Sequence, residues 1–139
     1  MRKKIKVIFV CTGNSCRSQM AEGLLRHMDN DRFEVLSAGT HPSRVHPISI
    51  RVMKEIGIDV STHTSDPLDK YFGYGINYVI TLCDNAREFC PTFPGDAKKI
   101  HWNIDDPFRS WDNDHKIIGR YRQTRDEIQE RIEQFIELI

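Results

Sequence analysis

The run Ile5–Val10 (IKVIFV) is broken only by Lys6 and stops at Cys11. A strand that is apolar at nearly every position is covered on both faces, which restricts it to the interior of a parallel sheet. Polar residues 12–15 end it. From Arg17 the segment RSQMAEGLLRHM sets Met20, Ala21, Leu24, Leu25 and Met28 at three- and four-residue spacing, one face of a helix that Asp29-Asn30-Asp31 closes. Phe33–Ser37 (FEVLS) reads as a second strand, followed by Ala38-Gly39-Thr40 and a loop with Pro42 and Pro47. Ile50, Met53 and Ile56 then repeat at helical spacing as far as Gly57.

Residues 61–75 lack a clean period and read as loop, with one short helix near Pro67–Phe72. Asn77–Leu82 (NYVITL) is a β-branched third strand that again stops at a cysteine, Cys83. Lys98–Trp102 is a shorter fourth strand, and Ile117, Tyr121, Ile128, Ile132, Phe135 and Ile139 mark one face of a closing helix. Strands alternating with helices imply an α/β fold, a parallel sheet with helices on both faces, in one domain over residues 1–139. Ligands of such sheets bind beyond the carboxyl ends of the strands, the edge that Cys11 and Cys83 share.

Composition narrows the function classes. Twenty basic residues balance twenty acidic ones, so no global field draws the chain to nucleic acid or an anionic membrane, and any anion affinity has to be built locally. The apolar run Val7–Val10 is too short for a signal peptide or a membrane span, so the expected location is cytoplasmic. Thiols stay reduced there, so Cys11, Cys16, Cys83 and Cys90 point to catalysis, packing or metal rather than a structural disulfide framework. Gaps of four and six residues between them, with scattered histidines, do not follow the spacing of zinc sites.

Cys11-Thr-Gly-Asn-Ser-Cys-Arg17-Ser18 joins a strand end to a helix start. Backbone N–H groups of such a loop, Thr12 to Arg17 here, can converge on one point where the helix dipole adds positive potential, a cradle for a tetrahedral oxyanion. Gly13 is expected to supply the unusual backbone angles, and Arg17 two parallel donors that a lysine could not reproduce. The same groups are expected to favour the thiolate of Cys11 and make it a nucleophile, with Ser18 donating a further hydrogen bond. A cysteine at a strand end is ordinarily a packing residue; the glycine, the arginine at the sixth position beyond and the flanking elements set this one apart. Asp106, before Pro107, falls on the same edge and suits a general acid, although Asp-Pro pairs also start plain turns and Asp105 is an equal candidate on chemistry alone.

Together with Asp106-Pro107, the Cys11–Ser18 loop resembles the catalytic set of the low-molecular-weight tyrosine phosphatase fold family. The stretches CTGNSCRSQMAEG, SAGTHP, HTSD, TLCDNAREFCP and HW..DDP are similar, more narrowly, to its thioredoxin-coupled arsenate reductases, over nearly the whole chain. The resemblance implies a four-stranded parallel sheet flanked by helices and the reduction of arsenate to arsenite, with no tightly bound cofactor. It makes Cys11 the nucleophile, Thr12, Gly13, Asn14, Ser15, Cys16 and Arg17 the oxyanion loop, Cys83 and Cys90 the relay thiols, and Asp106 rather than Asp105 the acid. Asn14, Glu22, Ser37 and Asp66 fall where some members bind potassium. Phe108 stands where the phosphatases usually carry tyrosine, and Cys16 has no part in the implied relay.

By that resemblance, Cys11 attacks arsenate, Cys83 then attacks the Cys11 sulfur and expels arsenite, and Cys90 attacks Cys83. The resulting Cys83–Cys90 disulfide is reduced by thioredoxin, and the protein is expected to work as a monomer. Two other readings share these residues: a phosphatase in which Cys83 and Cys90 are incidental, and a non-enzymatic thiol redox sensor, which would need no acid at Asp106. If residues 83–90 start a helix, the Cα atoms of Cys83 and Cys90 stand ~10 Å apart, beyond the ~7 Å limit of a disulfide, so oxidation has to unwind that segment.

Overall fold

A computed structural model describes residues 3–83, 86–87, 93, 95–112 and 115–139. Four parallel strands, β1 (Ile5–Cys11), β2 (Phe33–Gly39), β3 (Tyr78–Thr81) and β4 (Lys98–His101), form one sheet in the order β2-β1-β3-β4. It is flanked by helices α1 (Arg17–Met28), α2 (Pro47–Lys54) and α3 (Ile118–Leu138), which contact one another. None of the described helices is long and apolar enough to cross a membrane.

The strand order follows from burial. Val7–Val10 have no exposed surface, so β1 must be covered by a strand on either side, while Lys98 and Lys99 keep β4 at an edge. The chain runs from β1 through α1 to β2 on one side, then back through α2 to β3 on the other. The direction of winding therefore reverses at β1, and the crevice outside its carboxyl end is where ligands of open parallel sheets bind. Cys11 is the last residue of β1. Leu82 donates its N–H to Val10 O at 2.8 Å, which brings Cys83, one residue further, to the same edge.

Several expected faces shift. Met20, Ala21, Leu24 and Leu25 of α1 are buried as expected, but Met28, in its last turn, is 36% exposed. The buried side of α2 is Ile48, Val52 and Met53, because the helix ends at Lys54; Ile56 lies beyond it and is 36% exposed. The closing helix buries Tyr121, Ile128, Ile132 and Phe135, whereas Ile117 sits in a preceding 3-10 turn and Ile139 is exposed beyond the end. The short helix expected near 67–72 is a 3-10 turn, Leu68–Tyr71.

Candidate active site

The loop after β1 is held from outside by its carbonyls. Thr40 donates its N–H to Cys11 O (3.2 Å), His41 to Thr12 O (2.8 Å), Ser43 to Gly13 O (3.0 Å) and His46 to Ser15 O (3.0 Å), while the Gln19 amide donates to Asn14 O (3.0 Å). Each peptide is planar and trans, so a carbonyl drawn outward turns the next N–H the opposite way. The N–H groups of residues 12–16 are thereby aimed inward, where α1 begins at Arg17.

The left-handed residue of this loop is Asn14, at φ 48°, and not Gly13. Asparagine tolerates that region because its side chain bonds locally, and here it does so heavily. Asn14 Nδ2 donates to Ser18 Oγ (2.6 Å) and Ser37 Oγ (3.0 Å), and Asn14 Oδ1 accepts from Asp66 N–H (2.9 Å). The glycine that close approach demands is Gly39, at the end of β2. A Cβ there would lie 2.5 Å from Thr12 O and 3.0 Å from Asn14 N. Neither role is signalled locally in the sequence, because Asn14 and Gly39 each answer to residues of another segment.

A cavity of about 250 Å³ opens above the loop. Cys11, Thr12, Gly13, Ser15, Cys16 and Arg17 line its floor, and Asp106 with Phe108, Trp111 and Ser43 its wall. Asn14 and Ser18 stand behind the floor, both fully buried. Cys11 Sγ is 2.9 Å from Ser18 Oγ. Arg17, 7% exposed, is fixed by donating Nη1 to Ile104 O (2.9 Å), and its Nη2 is 3.4 Å from Asp106 Oδ2. Asp106 thus lines the cavity, and Asp105 does not; both line a second cavity beside Arg109 and Arg120.

Cys83 Sγ is 3.3 Å from Thr12 Oγ1, so a loop residue touches the second thiol directly. Cys83 is buried at 7% exposure. Cys90, the third thiol of the expected relay, and most of the helix expected from 83 to 90 lie outside the described residues. Cys16 is different in character. It caps α1 without a side-chain bond, and burial pushes its thiol up, against weak bonds with Ser15 and Tyr121, keeping it protonated.

The four residues named for potassium gather on the buried side of the loop, but their oxygens are engaged by protein donors. Ser37 donates to Glu22 Oε1, Glu22 Oε2 pairs with Arg26 Nη2 at 2.7 Å, and Asn14 Oδ1 holds the Asp66 N–H. Asp66 accepts from Thr64, Lys70 and Tyr71; those bonds outweigh its burial and hold its carboxyl below the usual range. In this arrangement those oxygens are committed to protein donors, and no chemical step below runs through a cation. Among the described residues no group of three or more His, Cys, Asp or Glu side chains forms a metal centre.

Comparison with known proteins agrees with this geometry. The model of the family described as low molecular weight phosphotyrosine protein phosphatase matches residues 6–139. The arsenate reductase of Halalkalibacterium halodurans is 43% identical over 137 residues, covering 99% of this chain and 98% of that protein. That of Staphylococcus aureus strain Newman is 45% identical over 136 residues, covering 97% and 98%. Among solved structures, an arsenate reductase in the oxidised state superposes with a TM-score of 0.81 at 36% identity, covering 95% and 96% of the two chains. A low molecular weight protein tyrosine phosphatase from T. tengcongensis does so with a TM-score of 0.80 at 27% identity, covering 98% and 100%. With a family match over nearly the whole chain and relatives of this similarity, the chain belongs to the low molecular weight phosphotyrosine protein phosphatase family.

Proposed function

We propose that this protein reduces arsenate to arsenite through a relay of three thiols, Cys11, Cys83 and Cys90, and that thioredoxin resets it. Arsenate enters the loop in place of the Asp106 carboxylate on Arg17 Nη2, which releases Asp106 toward the departing oxygen. Cys11 attacks arsenic as the thiolate and one As–O bond breaks; the proton given up by the Cys11 thiol, which Asp106 takes up once arsenate occupies Arg17, goes to the hydroxyl oxygen that leaves as water. Cys83 then attacks the Cys11 sulfur. An S–S bond forms, the S–As bond breaks, and its electron pair remains on arsenic, which leaves as arsenite. Cys90 attacks Cys83, returning Cys11 as a thiolate and closing a Cys83–Cys90 disulfide, whose two electrons the dithiol of thioredoxin restores.

The observation that carries this reading is the contact of Thr12 with Cys83, 3.3 Å, because it sets a second thiol against the loop of the first. Hydrolysis needs one thiol at such a site. The similarity to proteins named arsenate reductase supports the choice of arsenate. The reading calls for no resident cofactor and assigns the protein to arsenic detoxification in the cytoplasm, as a monomer. Phe108 and Trp111 on the cavity wall favour a second, slower activity, hydrolysis of aryl phosphates, whose ring they can pack against.

The test is NADPH oxidation with arsenate, thioredoxin and thioredoxin reductase, run beside aryl-phosphate hydrolysis. Arsenate-dependent NADPH oxidation that Cys11→Ser abolishes is expected. Hydrolysis without any reduction would reject the reductase in favour of the phosphatase.

A further inference from the structure

We infer that His46 is a positioning residue for Asp106, tying the segment that carries the acid to the loop that carries the nucleophile. The inference rests on the role given to Asp106 above.

His46 is fully buried and precedes α2 as its cap. Its Nδ1 accepts the N–H of Ile48 at 3.1 Å, so the ring proton must sit on Nε2. That nitrogen lies 2.7 Å from Ser110 O and donates to it. The ring stacks on Trp111, 5.3 Å between centroids at 13°, and meets the edge of Phe108 at 5.6 Å. Through its backbone, His46 also donates to Ser15 O in the oxyanion loop. One residue thus bonds the loop that floors the cavity and the segment that supplies its wall.

The tether matters because little else holds the acid. Residues 102–112 have no regular structure, and the Asp106 side chain is 49% exposed. Asp106 is knit to its neighbours, with Phe108 N–H on its Oδ1 (3.0 Å) and Arg109 Nη1 on its carbonyl (2.8 Å). Those bonds fix the turn within itself and leave its place in the cavity to Arg17, to the Arg44 guanidinium over Trp111 (4.4 Å) and to His46. A displacement of ~1 Å in a reacting group can lower a rate by as much as ~100-fold.

Asparagine and glutamine separate the two ring nitrogens. His46→Asn keeps an acceptor for the Ile48 N–H but cannot reach Ser110 O; His46→Gln extends an amide donor to Ser110 O and weakens the cap. In the thioredoxin-coupled assay the Asn variant is expected to lose kcat about tenfold with the arsenate KM near that of the parent, and the Gln variant to stay within about threefold. Sulfate affinity by calorimetry should be unchanged in both, because the oxyanion loop is intact. His46→Asn combined with Asp106→Asn should be no slower than Asp106→Asn alone.

Parent kcat in the Asn variant, a greater loss in Gln than in Asn, lost sulfate binding in the Asn variant, or multiplied losses in the double variant would each overturn the role. Failure of the underlying reading looks different. Asp106→Asn at parent kcat removes the acid itself, and with it this role. Should the parent fail to reduce arsenate, the same order of variants is read from hydrolysis of phenyl phosphate, whose poor leaving group needs the acid.

Discussion

Asn14 donates to Ser18 Oγ at 2.6 Å, which leaves the proton of Ser18 free for the Cys11 sulfur 2.9 Å away. The hydroxyl is therefore oriented before any substrate binds. Ser18→Ala removes that donor, and we expect both arsenate turnover and the rate of Cys11 alkylation by iodoacetamide to fall about tenfold, in line with the loss of one hydrogen bond to a charged group. Alkylation at the parent rate would show that Ser18 does not serve the sulfur.

Arg17→Lys keeps the charge and loses the planar fork. The parent side chain is held by Ile104 O on one nitrogen and faces Asp106 with the other, an arrangement that one ammonium cannot repeat. We expect sulfate or arsenate affinity to drop by about 2 kcal/mol, measured by calorimetry. Equal affinity would count against Arg17 as the clamp.

Gly39→Ala should damage the loop from a distance. The added Cβ would meet backbone, Thr12 O at 2.5 Å, rather than the end of a flexible side chain, so the loop has to move. Expected are a loss of oxyanion binding and a destabilisation of about 2 kcal/mol by denaturant titration, the size of an overpacked site. A variant with parent stability and sulfate affinity would contradict the close approach.

Acid sensitivity should trace in part to His63. Burial lowers its pKa from the ordinary 6.5, although Glu22 pulls the other way. Because the folded value lies below the unfolded one, the unfolded chain takes up the proton first as pH falls, and stability is lost from about pH 6.5 downward. His63→Gln should flatten the dependence of the denaturation midpoint between pH 7 and about pH 5. An unchanged slope would place the sensitivity elsewhere.

Local signals in the sequence were read where one element carried them. Arg17–Met28 is helical over the segment its periodicity marked, and the strands that end near Cys11 and Cys83 lie where continuous apolar runs put them. The faces of Ile56, Met28 and Ile139 went astray because periodicity continues past the point where a helix loses its packing partner. At the site, Cys11 and Arg17 were legible from residue type and spacing, whereas Asp106 stood apart from Asp105 only through the family resemblance; the cavity gathers all three. What stayed hidden depends on residues far apart in the chain. Gly39 answers to Thr12, and His46 to Ser110 and Trp111. The left-handed Asn14 was obscured by Gly13, the residue to which such a conformation is usually assigned.

The most direct test of the relay is a single turnover on arsenate with the reduced protein alone, followed by mass mapping of its disulfides. For each arsenite released, the account predicts one Cys83–Cys90 disulfide with Cys11 free, and a trapped Cys11–Cys83 disulfide in Cys90→Ser. Arsenite released with all three thiols still reduced, or from a Cys83→Ser variant at the parent rate, would contradict it.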